Sequence, residues 1–317
     1  MTNSQPPRFP GLRFPPPRWA VAACIIAAWG RSVAAEGPPA GSVYRRGSDP
    51  EEAGAGERIV AAALAGLGRA DTISARVRQL ARVGDTVLKG SGRYVQAGTG
   101  DELRFRLETR LSSESETFEL LEVCDGLFVW NYRKLGMQPP AVQRIDALRV
   151  REQVEKQAAG KRPCDGAYLG GVQRMLALVR EWFRFGAATA GELDGMPVWL
   201  VEGSWDKPRL AALLPGRAEA VDAPGGIAAA DLPDGVPWSV RLSVGKRELF
   251  PFRVEWLAIP GPRPVAETAP EVVAVFELYD VRIGEPVDAG AFVYRPAVEG
   301  LIDVTDQHLR ELTPLRP

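Results

Sequence analysis

LEVCDGLFVWNY, residues Leu121–Tyr132, is the stretch on which the fold turns. An apolar run closes on Asp125-Gly126 and restarts as Leu127-Phe128-Val129-Trp130-Asn131-Tyr132. Asp-Gly between β-rich runs marks a tight hairpin, because Gly takes a positive φ without steric cost. The flanking segments alternate as well. Leu103, Phe105, Leu107, Thr109 and Leu111 alternate with Arg104, Arg106, Glu108 and Arg110, the period of a strand with one wet face. Ile73, Ala75 and Val77 alternate with Ser74, Arg76 and Arg78, and Gly84-Asp85 turns into Thr86–Gln96. With Thr117–Cys124, these runs predict a meander of about five strands.

Outward from the meander, Glu57–Arg69 has Ile59, Val60, Ala63, Leu64 and Leu67 at helical spacing. On the other side, Ala147–Ala158 is helix-permissive. Tyr168–Phe183 lines up Leu169, Val172, Met175, Leu176, Val179, Trp182 and Phe183 as one apolar stripe, which must pack on an apolar face. Strands resume at Val198–Val201, Trp238–Val244, Phe250–Trp256, Glu271–Val281 and Phe292–Arg295. Short helices are predicted at Lys207–Leu214 and Asp303–Leu312. Strands, then helices, then strands, with tight turns and no βαβ rhythm, give an α+β fold: a large antiparallel sheet.

The N-terminal 35 residues read as a secretory signal peptide. Arg8, Arg13 and Arg18 precede the apolar run Trp19–Trp29, and the small residues Ser32-Val33-Ala34-Ala35 place cleavage after Ala35. The run is too short for a stable membrane span. Glu36–Gly56, rich in Gly, Pro and acids, reads as a flexible leader, and 57–317 as one domain. The whole chain has 39 basic and 40 acidic side chains; removing residues 1–35 takes away four arginines and no acid, leaving a net charge of −5. That argues against a nucleic-acid partner, which needs a basic surface. Cys124 and Cys164 remain, as a disulfide or as two buried thiols.

Catalytic chemistry is sparse. His308, the only histidine, reads as a solvated helix residue and supports neither a triad nor a zinc site. Gly90-Ser91-Gly92 and Gly98-Thr99-Gly100 lack the strand–loop–helix setting of a phosphate cradle and read as turns or bulges. Glu114, Glu116, Glu119 and Glu122 read as a solvated edge, and the acids of the four Asp-Gly pairs (Asp125, Asp165, Asp194, Asp234) as turn formers. No catalytic residue, metal set or cofactor motif is assigned, so a non-enzyme is expected. A sheet bearing Phe105, Phe128, Trp130, Phe252 and Trp256 must cover those rings with helices or with a guest. Together with Leu103 and Leu107, they are the candidate lining of an apolar cavity.

The order of these features resembles the LolA/LolB-like superfamily of periplasmic lipoprotein carriers. The likeness covers Glu57–Tyr132: the opening helix, the strand Ile73–Val83, Gly90-Ser91-Gly92-Arg93-Tyr94, and Val123-Cys124-Asp125-Gly126 running into Trp130-Asn131-Tyr132. The resemblance implies an unclosed, strongly curved half-barrel whose concave face is covered by helices over a cavity for acyl chains. Two readings follow. One is an envelope protein binding a lipid or the acyl chains of a lipoprotein; the other is a sensor or scaffold binding an envelope protein through the same sheet.

Overall fold

The computed structural model describes residues 44–50, 54–83, 86–157, 166–223, 226–228, 232–233, 235–259, 270–296 and 300–312. The signal segment and Cys164 lie outside the described residues. In chain order the elements are β1 (Tyr44–Pro50), α1 (Ala55–Arg69), β2 (Thr72–Val83), β3 (Thr86–Ala97), β4 (Arg104–Ser112), β5 (Thr117–Cys124), β6 (Phe128–Leu135) and β7 (Ala141–Asp146). Then follow α2 (Ala147–Gln157), α3 (Gly166–Leu169), α4 (Gly171–Trp182), β8 (Phe183–Leu193), β9 (Met196–Trp205), α5 (Lys207–Leu213) and α6 (Ala218–Asp222). The chain continues through β10 (Ser239–Gly245), β11 (Pro251–Ala258), β12 (Glu271–Ile283), β13 (Leu301–Asp303) and α7 (Thr305–Arg310).

All thirteen strands form one sheet in the order β1-β8-β9-β10-β11-β12-β2-β3-β4-β5-β6-β7-β13, with β1 and β13 as its two edges. The sheet is therefore open. Its pairings are antiparallel except β13 with β7, which is parallel. The order explains where the helices go. β7 and β8 lie toward opposite edges, so the connection carrying α2, α3 and α4 has to cross the sheet. The link from β1 to β2 carries α1 from one edge to the middle. Both crossovers bring apolar stripes over one face: Val60, Ala63 and Leu67 of α1, and Val172, Met175, Leu176 and Val179 of α4, are buried in the main core.

The seam between the two halves is β12 against β2, with Leu278 opposite Val77 and Phe276 opposite Gln79. A row of charges crosses it from β2 through β12 to β11. Arg78 pairs with Glu277 at 2.9 Å, Glu277 with Arg253 at 3.1 Å, and Arg253 with Glu255 at 2.8 Å. A buried polar clasp ties α1, β3 and α4 together. Gln96 Nε2 donates to the Leu67 carbonyl at 2.9 Å, while Gln173 Nε2 and Tyr94 Oη each donate to Gln96 Oε1 at 2.8 Å. Every polar atom of Gln96 thus has a partner, which buried amides require.

The structure departs from the sequence reading in several places. Tyr44–Pro50, inside the expected leader, pairs with β8; an edge strand is held by backbone hydrogen bonds and needs no apolar pattern. The helix expected over Tyr168–Phe183 breaks at Gly170, and Gly171 (φ +64°) restarts it as α4. Phe292–Arg295 is not a strand. Asp288 caps a short turn through the Gly290 N–H at 3.1 Å, and Phe292 is buried against Val95 and Ala97. His308 is only 6 % exposed, and its Nε2–H donates to the Tyr168 carbonyl at 2.8 Å, so it ties α7 to α3 where a solvated residue was expected.

Candidate functional site

Between α4 and the sheet lies a cavity of about 100 Å³. Its floor follows from strand register. Leu107 of β4 faces Glu122 of β5, which faces Asn131 of β6; one row over, Thr109 faces Leu120, which faces Arg133. Period-two alternation sends all six side chains to the helix-covered face. Gly170, Gly171, Arg174, Met175 and Leu178 form the roof, and the seam residues Gln79 and Phe276 the side.

Two glycines help shape the floor. A Cβ on Gly92 would lie 1.9 Å from the Glu108 carbonyl oxygen, and one on Gly90 2.3 Å from that of Arg110. β3 therefore presses on β4 too closely for any side chain, which assigns Gly90-Ser91-Gly92 to strand packing. The roof is equally tight. A Cβ on Gly170 would lie 2.3 Å from Glu122 Oε1, and one on Gly171 3.1 Å from Phe105 Cδ2.

The charged groups gather at one end. Gly171 N–H, at the start of α4, donates to Glu122 Oε2 at 2.9 Å. Burial pushes the Glu122 carboxyl above its ordinary range, against that hydrogen bond and the fields of Arg133 and Arg174. Burial likewise lowers the Arg174 pKa, and its Nη1 donates to the Ala167 carbonyl at 2.9 Å. Arg133 lines the same end and, among the described residues, has no hydrogen-bond or ion-pair partner. Glu122 thus corrects the solvated-edge expectation, whereas Glu114 and Glu116 are exposed as expected.

The seven residues expected to line a cavity are divided by the structure. Leu107 is in the wall, and Phe105 lies beneath Gly170 and Gly171. Leu103 and Phe252 are buried in the main core, and Trp256 lines a smaller cavity beside Trp182. Phe128 and Trp130 alternate onto the opposite face. There Trp130 stacks on Phe128 at 5.5 Å and Tyr294 at 6.1 Å, and its Nε1–H donates to Asp125 Oδ2 at 2.9 Å. Cys124 is a free, buried thiol whose Sγ–H donates to the Leu103 carbonyl at 3.6 Å; burial pushes its pKa up to about 11. The proposed partner Cys164 lies outside the described residues. Sequence reasoning missed Asn131, Arg133, Arg174 and Leu178 as site residues. For Asn131 and Arg133 the signal is polar side chains on a strand face that a helix must cover; Arg174 and Leu178 lie on that helix, beside its apolar stripe.

Among the described residues, no cluster of three or more His, Cys, Asp or Glu side chains is placed to hold a metal, and no helix is long and apolar enough to cross a membrane. No protein-family model matches the chain, and no curated protein does. Among solved structures, the chain is similar to a DUF1329 family protein from Desulfovibrio piger, at 12 % identity and a TM-score of 0.31, over 76 % of this chain and 96 % of that one. It is similar to MucB at 11 % identity and a TM-score of 0.35, over 77 % of this chain and 63 % of that one. It is also similar to a LolA superfamily protein from Nitrosomonas europaea at 10 % identity and a TM-score of 0.26, over 75 % and 97 %. The functional reading rests on the cavity.

Proposed function

We propose that the mature chain is a non-catalytic carrier of the bacterial envelope, exported by residues 1–35, which holds a lipid or an acylated ligand beneath α4. The observation behind this reading is an apolar-walled cavity with one polar end, roofed by a helix that starts at a two-glycine joint. At about 100 Å³ the space is well below the ~300–1,000 Å³ of a site that encloses a drug-sized ligand. Loading therefore requires α4 to lift. The Gly171–Glu122 hydrogen bond, the Gln173–Gln96 clasp and apolar packing hold α4 to the sheet, and all can reform over a guest. Each methylene of an acyl chain that replaces water contact gains roughly 0.8 kcal/mol, so a chain of about ten can offset the displaced packing.

Native mass spectrometry of purified mature protein and displacement of a lipophilic dye test the reading. Co-purifying lipid, or dye displaced by acyl ligands and weakened in Leu107→Asp, is the expected result. A folded protein that binds neither lipid nor dye would sink it.

A further inference from the structure

Met175 and Leu178 wall the cavity beneath α4 and also line a second one of about 20 Å³, whose other walls include Trp182, Phe183, Trp205 and Trp256. The two residues stand three apart and so share one helix face, and they alone separate the two spaces along it. The ends differ in chemistry. At the far end, Trp205 packs edge-on against Trp182 at 5.8 Å and, tilted, against Phe183 at 4.6 Å. Its indole N–H already donates to the Pro237 carbonyl at 2.7 Å, so that end offers apolar surface. At the near end, Arg133 is half-buried and has no hydrogen-bond or ion-pair partner among the described residues. Arg174 stands in the same wall with its Nη1 on the Ala167 carbonyl, and Glu122, the one carboxylate there, feels the field of Arg133 but makes no hydrogen bond or ion pair with it, its Oε2 accepting from Gly171 N–H. An unpaired guanidinium in a partly desolvated wall favours an anion with two acceptor oxygens. A thioether and a leucine are a joint that a flexible chain can part.

Building on the carrier reading, we propose that the ligand is a single-chain anionic amphiphile. Its carboxylate or phosphate monoester head sits at Arg133, and its one acyl chain runs past Met175 and Leu178 to Trp182, Trp205 and Trp256. The head requirement makes the protein selective among lipids, which an apolar cavity alone does not.

The test is dye displacement from the full mature chain by four probes: palmitate, 1-palmitoyl lysophosphatidate, uncharged monopalmitoylglycerol and a dipalmitoyl glycerophospholipid. Palmitate, lysophosphatidate or both should displace dye at concentrations about tenfold or more below monopalmitoylglycerol, as loss of a charge-assisted pair implies. Whichever anion is stronger identifies the head as carboxylate or phosphate. Arg133→Gln should erase the advantage and Arg133→Lys should keep only part of it, in variants whose circular dichroism matches the parent. A fatty acid brominated near its methyl end should quench tryptophan emission more than one brominated near its carboxyl, and less so in Trp205→Phe. Equal displacement by charged and uncharged single chains, preference for the two-chain lipid, or an unchanged preference in Arg133→Gln overturns the proposal and leaves the carrier reading standing. Displacement by none of the probes overturns both.

Discussion

Replacing Glu122 by Ala and by Gln separates a hydrogen-bond latch from a buried charge. In the parent, Gly171 N–H donates to Glu122 Oε2 at 2.9 Å, and Gly171 is the first residue of α4. Ala removes the acceptor and leaves that N–H buried at the helix start, a loss of about 1.5–3 kcal/mol for a bond to a charged group. Gln keeps an acceptor oxygen in the same place and removes the charge. Burial holds the folded-state pKa of Glu122 above its ordinary 4.5, so the folded chain binds this proton more tightly than the unfolded one. The stability that protonation of this group adds is therefore gained as pH falls through the folded pKa toward 4.5 and is lost as pH rises, while the hydrogen bond to Gly171 N–H remains. Urea denaturation followed by tryptophan emission at pH 7.5 and pH 5 reads both effects. Glu122→Ala should unfold about 2 kcal/mol more easily at pH 7.5, equivalent to a melting temperature roughly 4–8 °C lower. Glu122→Gln should lie within ~1 kcal/mol of the parent at pH 7.5 and lose ground to it at pH 5. Equal destabilisation by Ala and Gln, or a Gln variant that tracks the parent at both pH values, refutes the reasoning.

Three further outcomes are expected. Gly171→Ala places a Cβ 3.1 Å from Phe105 Cδ2 at a φ of +64°, so a loss of about 1–2 kcal/mol in urea denaturation should result, and a neutral variant would contradict the joint. His308→Phe deletes the donor to the Tyr168 carbonyl; hydrogen exchange should speed up in α3 and α7, with a stability loss of about 1 kcal/mol. Cys124, with its thiol pushed up to about 11 and buried, should resist iodoacetamide at pH 8 in the native protein and react fully in urea without reductant. Fast native labelling contradicts the burial, and no labelling in urea would reveal a bridge.

Much of the sheet was legible because its first half is regular. β5 coincides with the predicted Thr117–Cys124, and β4 follows the Leu103–Leu111 alternation to within a residue. β7 and β8 were not legible: AVQRID is short, and FRFGAATAGEL is full of Ala and Gly, which favour no strand by themselves. Their existence depends on the neighbours they pair with. The site was harder still. Phe128 and Trp130 looked like cavity residues by chemistry, but which face of β6 the helices cover is set by the β7-to-β8 crossover, a tertiary fact. That same fact turns Glu122, Asn131 and Arg133 inward. His308 looked solvated because six residues of helix carry little period, and its partner Tyr168 lies 140 residues away.

The seam has a consequence for the order in which the molecule is made. The hairpins from β2 to β6 join neighbours in sequence and can form as soon as those residues exist. The β12–β2 pairing, by contrast, joins residues as far apart as Arg78 and Glu277, separated by 199 positions. Closing such a loop is slow, since its entropy is lost before any contact rewards it. Yet Gln79 and Phe276, opposite each other across that pairing, are both walls of the cavity. Neither half of the chain encloses the cavity by itself. Ligand affinity should therefore appear late in refolding, after most strand signal has returned, so that only a finished molecule can load.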